Sequence, residues 1–257
     1  MTLTFGRSPF GPQRGVYSVA DLPDDVAYVE PWPRRMRALF GNRTVLDSRN
    51  GMMLHRTGAA PTLLFPFSDP AADVLKQGEQ AGTWTVQVGA RSAAQAVTTP
   101  PPLAGPAGAA IDGLVIVEYH TMDRWFEEDD PVYAHTRDPY HRVDVRSSSR
   151  HVAVRHADVV VAESTRPKLL FETGLPVRFY LPFADVRIDL LELSETISQC
   201  PYKGDGQHWN LMGTGDLVAD AAWSLPHPLA EAKLALEHVS FYPDKLEVLV
   251  DDERVTA

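Results

Sequence analysis

The sequence predicts a mainly β fold: two tandem small antiparallel β domains, each with one or two short helices. Three observations carry this. Proline (21) outnumbers glycine (17), and together they interrupt the apolar runs every few residues, which leaves little room for long helices. The apolar runs that remain are short and turn-bounded. The chain also resembles itself at a fixed offset: shifting it by 116 residues aligns Arg34–Asp69 with Arg150–Asp185 without a gap, and nine of the 36 positions are identical, where chance gives about two. The identities are Arg34/Arg150, Val45/Val161, Ser48/Ser164, Leu54/Leu170, Thr57/Thr173, Gly58/Gly174, Pro66/Pro182, Phe67/Phe183 and Asp69/Asp185. Trp84 and Trp209 continue the correspondence downstream.

Element by element, the second half reads most clearly. Strands are expected at His151 to His156, Asp158 to Glu163, Lys168 to Glu172 and Val177 to Leu181. A final hairpin is expected from Val239 to Tyr242 and Lys245 to Val250, turning at Pro243-Asp244. Asp185 is an N-cap residue type, so a short helix is expected from it through Val186, Ile188, Leu190 and Leu191 to Ser194. The acidic runs Glu127 to Asp130 and Asp251 to Glu253 follow strands and suit exposed hairpin turns; they lack the alternating spacing of a calcium loop. The resulting division is a flexible N-terminal arm over 1–20, a first domain over 21–135 and a second over 136–257.

Composition bounds the partners. Lys+Arg number 24 and Asp+Glu 34, a net charge of −10, so no global positive field exists for nucleic acid or an anionic membrane surface. No apolar run approaches the roughly 18 residues of a membrane span. The single cysteine, Cys200, rules out an intrachain disulfide or a Cys-rich zinc site, and the expected compartment is the reducing cytoplasm. The nine histidines have no close i, i+4 pairing with a third ligand, so no metal site is expected. No cofactor is expected either, since no phosphate loop of Walker or dinucleotide type occurs.

The two halves differ where side-chain chemistry concentrates. The second carries Thr196 to Gly204, including Cys200-Pro201-Tyr202-Lys203-Gly204, where the first has Val74 to Gly82 with none of that reactive set. The first copy is therefore read as degenerate, supplying buried area or an interface, and the second as holding any site. Cys200 is a candidate nucleophile if a neighbouring ammonium favours its thiolate, or else a small core residue. Glu163, at a strand end, is a candidate general base. Lys203 and Arg166 offer cations that could hold a carboxylate or phosphate, or could neutralise Glu163 internally. Of the aromatics, Tyr180, Tyr202 and Trp223 are the candidates for lining a ligand cleft, against Trp209 and Tyr242 as further members of the set.

The stretch Glu163-Ser164-Thr165-Arg166-Pro167-Lys168-Leu169-Leu170-Phe171-Glu172-Thr173-Gly174-Leu175-Pro176, then Arg178-Phe179-Tyr180-Leu181-Pro182 and Cys200-Pro201-Tyr202-Lys203-Gly204, resembles the domain-of-unknown-function family 427 over about residues 142–255. Asp138 to Val145 is similar to its tandem-domain form. The resemblance implies a small antiparallel β domain with one or two short helices, and attaches no firm activity. A nucleotidyltransferase-like reaction would need carboxylates converging on Mg²⁺. Asp185 and Asp189 share a face of the expected helix, but Asp185 is better placed to cap it.

The leading expectation is thus a cytoplasmic module binding a small, anionic metabolite or a peptide group near Cys200–Gly204. The alternatives are a transferase- or hydrolase-like enzyme using Cys200 or Glu163 with Lys203 and Arg166, and a structural or partner-binding protein. The sequence leaves the oligomeric state open.

Overall fold

A computed structural model describes residues 26–256, and the expected arm over 1–20 lies outside them. The chain is mainly β and forms two tandem antiparallel β domains, dividing between Asp138 and Pro139. The first contains β1 (Ala27–Trp32), β2 (Met36–Phe40), β3 (Arg43–Ser48), β4 (Gly51–Arg56), β5 (Thr62–Pro66), β6 (Leu75–Gln77), β7 (Thr83–Val88), β8 (Arg91–Thr98), β9 (Leu114–Val117), β10 (Arg124–Glu127) and β11 (Asp130–Pro131), with the short helix α1 (Gly105–Ala110) before β9. The second contains β12 (Val143–Ser147), β13 (Val152–His156), β14 (Val159–Ser164), β15 (Lys168–Glu172), β16 (Arg178–Pro182), β17 (Leu191–Cys200), β18 (Gly204–Leu211), β19 (Val218–Pro228), β20 (His238–Phe241), β21 (Glu247–Val250) and β22 (Glu253–Arg254), with a 3-10 helix at Ala230–Ala235 before β20.

Strand for strand the two domains have one order. The first has a seven-stranded sheet β1-β4-β5-β9-β8-β7-β6 and a four-stranded sheet β11-β10-β2-β3. The second has β12-β15-β16-β20-β19-β18-β17 and β14-β13-β21-β22. The identities 116 residues apart occupy the same places and make the same bonds. Ser48 Oγ donates to Asp69 at 2.5 Å, as Ser164 Oγ does to Asp185 at 2.7 Å. Thr57 Oγ1 accepts from Val26 N at 2.9 Å, as Thr173 Oγ1 does from Arg142 N at 2.9 Å. Gly58 and Gly174 both sit at positive φ (67° and 74°), where a side chain would be strained. The rings of Phe67 and Trp84 meet at 4.6 Å, and those of Phe183 and Trp209 at 5.7 Å. These are residues whose polar bonds, turn geometry or ring contacts admit few substitutes, which is why they are the ones that coincide.

In the second domain, Val152, Val154, Val161 and Val248 of the four-stranded sheet pack with Leu181, Leu211, Val239 and Phe241 of the seven-stranded one. A second cluster gathers Val143, Val145, Leu170, Tyr180 and Leu225 with Ala232 and Ala235 of the 3-10 helix. Tyr180 and Leu181 are neighbours on β16 yet belong to different clusters, because successive strand side chains point to opposite faces. The seven-stranded sheet is therefore buried on both sides at β16.

Two local expectations are corrected. The helix from Asp185 is instead a pair of 3-10 turns, Phe183–Asp185 and Ile188–Leu190, followed at once by β17, in which Ser194 lies. Asp185 does not cap: its carboxylate accepts from Ser164 and Arg166, so the chain follows that anchor rather than local helix preference. The expected final hairpin is not one, since β20 pairs β16 and β19 while β21 pairs β13 and β22. Lys245 N and Leu246 N both donate to Tyr242 O, and this turn carries the chain from one sheet to the other. Among the described residues no helix is long and apolar enough to cross a membrane.

Candidate functional site

Cys200 ends the ten-residue strand β17 and pairs with Gly204, so Pro201-Tyr202-Lys203 is the tip of a hairpin. Gly204 has φ +98°, and a Cβ there would stand 2.7 Å from His227 O, which presses the hairpin tip against β19. That contact aims Lys203 at the end of β15. Its Nζ donates to Glu172, and His141 Nε2 lies 3.0 Å from the other carboxylate oxygen. The His141 ring stacks on Tyr202 with centroids 4.1 Å apart. Glu172 is only 4% exposed. Burial alone would push its carboxyl up, but the His141 hydrogen bond and the Lys203 charge together hold it below the usual carboxylate range.

Each proposed site residue has a definite place. Lys203, Tyr202 and Cys200 come together at this hairpin, where Cys200 is half-buried against the cluster containing Tyr202 and Leu170. Arg166 does not join them. It precedes β15, whereas Glu172 ends it, and the strand between spans about 13 Å at its usual rise. Its guanidinium is bidentate on Asp185 at 3.0 and 2.7 Å. Glu163 lies on β14 in the other sheet, exposed, with His151 Nε2 at 2.8 Å. The internal partners are thus Asp185 for Arg166 and Glu172 for Lys203, not Glu163.

The aromatic candidates sort by burial. Tyr180 is 1% exposed, its hydroxyl accepts from Trp223 Nε1 at 2.8 Å, and burial pushes its phenol up. Tyr202 is buried under His141. Trp223 is half-buried, 4.3 Å from the Tyr242 ring, with the Arg178 guanidinium 5.5 Å from its centroid.

An open apolar groove instead crosses β17, β18 and β19 to the segment before β20. It encloses about 530 Å³ and is lined chiefly by Phe183, Ile188, Leu193, Trp209, Leu225 and Leu236. Leu193 is 59% exposed and Ile188 and Leu236 are 42% exposed, although all three are large aliphatics. The polar groups at its edge are the Gln207 amide, the Glu237 carboxylate and the Ser224 hydroxyl, which accepts from Trp209 Nε1 at 2.9 Å. Sequence reasoning named Trp209 only as one aromatic of a set and missed the aliphatics. Leu193 was legible as an apolar residue near Ser194, but its exposure depends on β17 being the outermost strand of its sheet.

No group of three or more His, Cys, Asp or Glu side chains able to hold a metal ion occurs among the described residues. No curated protein matches the chain. Residues 144–252 match the family model described as a domain of unknown function (DUF427), and they fall wholly within the second domain, which carries both the groove and the Glu172–Lys203 cluster.

Proposed function

We propose that this protein is a binding module whose second domain holds a small molecule with an apolar body and an uncharged or cationic end in the groove between Ile188, Leu193, Trp209 and Leu236. The observation that carries this is the convergence of three exposed aliphatics on one concave, aromatic-floored surface with a few polar groups at its edge, the usual make-up of a small-molecule site. An anionic ligand is less suited, because Lys203 and Arg166 are occupied by Glu172 and Asp185, and the charge at the groove is the Glu237 carboxylate. The single cysteine supports a cytoplasmic setting. The common strand order and the coincident Ser–Asp and Thr bonds support an origin of the two domains by duplication of one unit, with the hairpin chemistry kept in the second.

Tryptophol and indole-3-acetate share an aromatic body and differ in the charge of their ends. Titration calorimetry is expected to give saturable binding of tryptophol, weaker binding of indole-3-acetate, and loss of tryptophol binding in Leu193→Asp with the melting temperature retained. Equal affinity for both compounds, or tryptophol binding untouched by Leu193→Asp, overturns the reading.

A further inference from the structure

The first domain has a cavity of its own, of about 310 Å³, between the start of β5 and the segment after β9. That is about ten water volumes, at the small end of ligand pockets. Its apolar wall is Leu63, Ile116 and Trp125, and its polar groups include Glu118, His120 and His135. Glu118 takes one hydrogen bond from Thr98 Oγ1 at 2.9 Å, and among the described residues no Lys or Arg lines the cavity or pairs with it. His135 Nδ1 donates to the Thr136 carbonyl at 2.9 Å. The cavity therefore offers a carboxylate beside an apolar wall, with no Lys or Arg among the described residues that line it.

The same place in the second domain is closed, and the strand registers show how. Ile116 pairs with Thr98 as Ser240 pairs with Trp223, which makes Thr98 equivalent to Trp223 and Glu118 to Tyr242. Thr62 and Leu63 are equivalent to Arg178 and Phe179 at the 116-residue offset. Where the first domain has Thr62, Thr98 and Glu118, the second stacks Arg178 on Trp223 and Tyr242, at 5.5 and 5.9 Å from their ring centroids. The space left there, lined by Arg178, Phe179, Phe241 and Pro243, is only about 10 Å³. In the second domain a guanidinium lies on aromatic rings at this position, whereas in the first Thr62, Thr98 and Glu118 stand in their place and the Glu118 carboxylate, bonded to Thr98, has no Lys or Arg partner among the described residues.

We propose that the first domain binds a small organic ammonium ion in this cavity, with Glu118 as counter-ion and Leu63, Ile116 and Trp125 holding its apolar body. A charge-assisted hydrogen bond to a carboxylate is stronger than a neutral one, so the charge of the ligand decides its affinity. This site lies in the first domain and the groove in the second, and the variants below tell binding at one from binding at the other.

The test is titration calorimetry of the full chain with benzylamine, and with benzyl alcohol as its neutral counterpart. Benzylamine is expected to bind saturably, and benzyl alcohol about tenfold more weakly or worse. Glu118→Gln is expected to lower benzylamine affinity about tenfold or more without changing the affinity for benzyl alcohol. Leu63→Phe, which places in the first domain the ring that fills the second, is expected to abolish the benzylamine binding that depends on Glu118 while leaving Glu118 in place. The benzylamine binding that Glu118→Gln weakens is expected to be unchanged in Leu193→Asp, and any that Leu193→Asp removes belongs to the groove, which separates the two sites. The proposal is overturned if benzylamine shows no saturable binding, if the alcohol binds as well as the amine, or if benzylamine binds equally to the parent and to folded Leu63→Phe.

Discussion

Lys203 reaches from the tip of the β17–β18 hairpin to donate to Glu172 at the end of β15, and His141 bonds the other oxygen of the same buried carboxylate. A carboxylate so deeply placed needs its partners, because removing one leaves a charge with neither water nor compensation. Lys203→Met is expected to destabilise the protein by about 3 kcal/mol, a typical cost for breaking a buried pair. Glu172→Gln should cost less, since Lys203 is partly exposed and can turn to water. Urea melts of the two variants check the order; a Lys203→Met protein as stable as its parent would make the pair a surface decoration.

The same carboxylate sets a pH dependence. Its folded-state pKa is depressed, so its contribution is fully present above the unfolded value and is lost as pH falls through the lower folded value. Melting temperatures followed downward through the carboxylate range should fall more steeply for the parent than for Glu172→Gln. Parallel curves would show that Glu172 is not held in its charged form.

Ser48 and Ser164 make the same bond to Asp69 and Asp185 in the two domains. Each serine to alanine change is expected to cost about 1–2 kcal/mol, and the double variant should show the sum, because distant sites with no shared partners add. Chemical denaturation of the two single variants and the double variant checks this. A large departure from additivity would contradict independent anchors.

Ser240 is fully buried on β20, and its hydroxyl has no hydrogen-bond partner among the described residues. Removing a buried hydroxyl without a partner relieves its desolvation cost, so Ser240→Ala should raise stability by about 1 kcal/mol. A loss of stability in the melt would show that the hydroxyl is satisfied.

Most of the fold was legible in the sequence. Valine-rich runs such as Val152 to Val154 and Val159 to Val161 became paired strands, and the 116-residue offset mapped onto one common strand order. The misses came where tertiary partners outweighed local signals. Asp185 reads as a helix cap but is held by Ser164 and Arg166, and the Pro243-Asp244 turn reads as a hairpin but joins two sheets. The site was legible only as residue types. Lys203, Tyr202 and Cys200 are near neighbours in the chain and share a hairpin that no turn signal announced, yet the partner of Lys203 is Glu172, 31 positions away, and nothing in the spacing of Arg166 separates it from them. The groove was not legible at all, because Ile188, Leu193, Trp209 and Leu236 converge through strand order rather than through any motif.

A molecule held in the groove of the second domain would lie beside the Trp209 indole N–H, which donates to Ser224. The ¹H–¹⁵N resonance of that indole is followed as tryptophol is added to the full chain. A saturable shift of the Trp209 signal is expected, with the signal of Trp223, whose indole N–H donates to the Tyr180 hydroxyl, left in place. A Trp209 resonance that stays fixed while tryptophol binds would contradict binding in the groove.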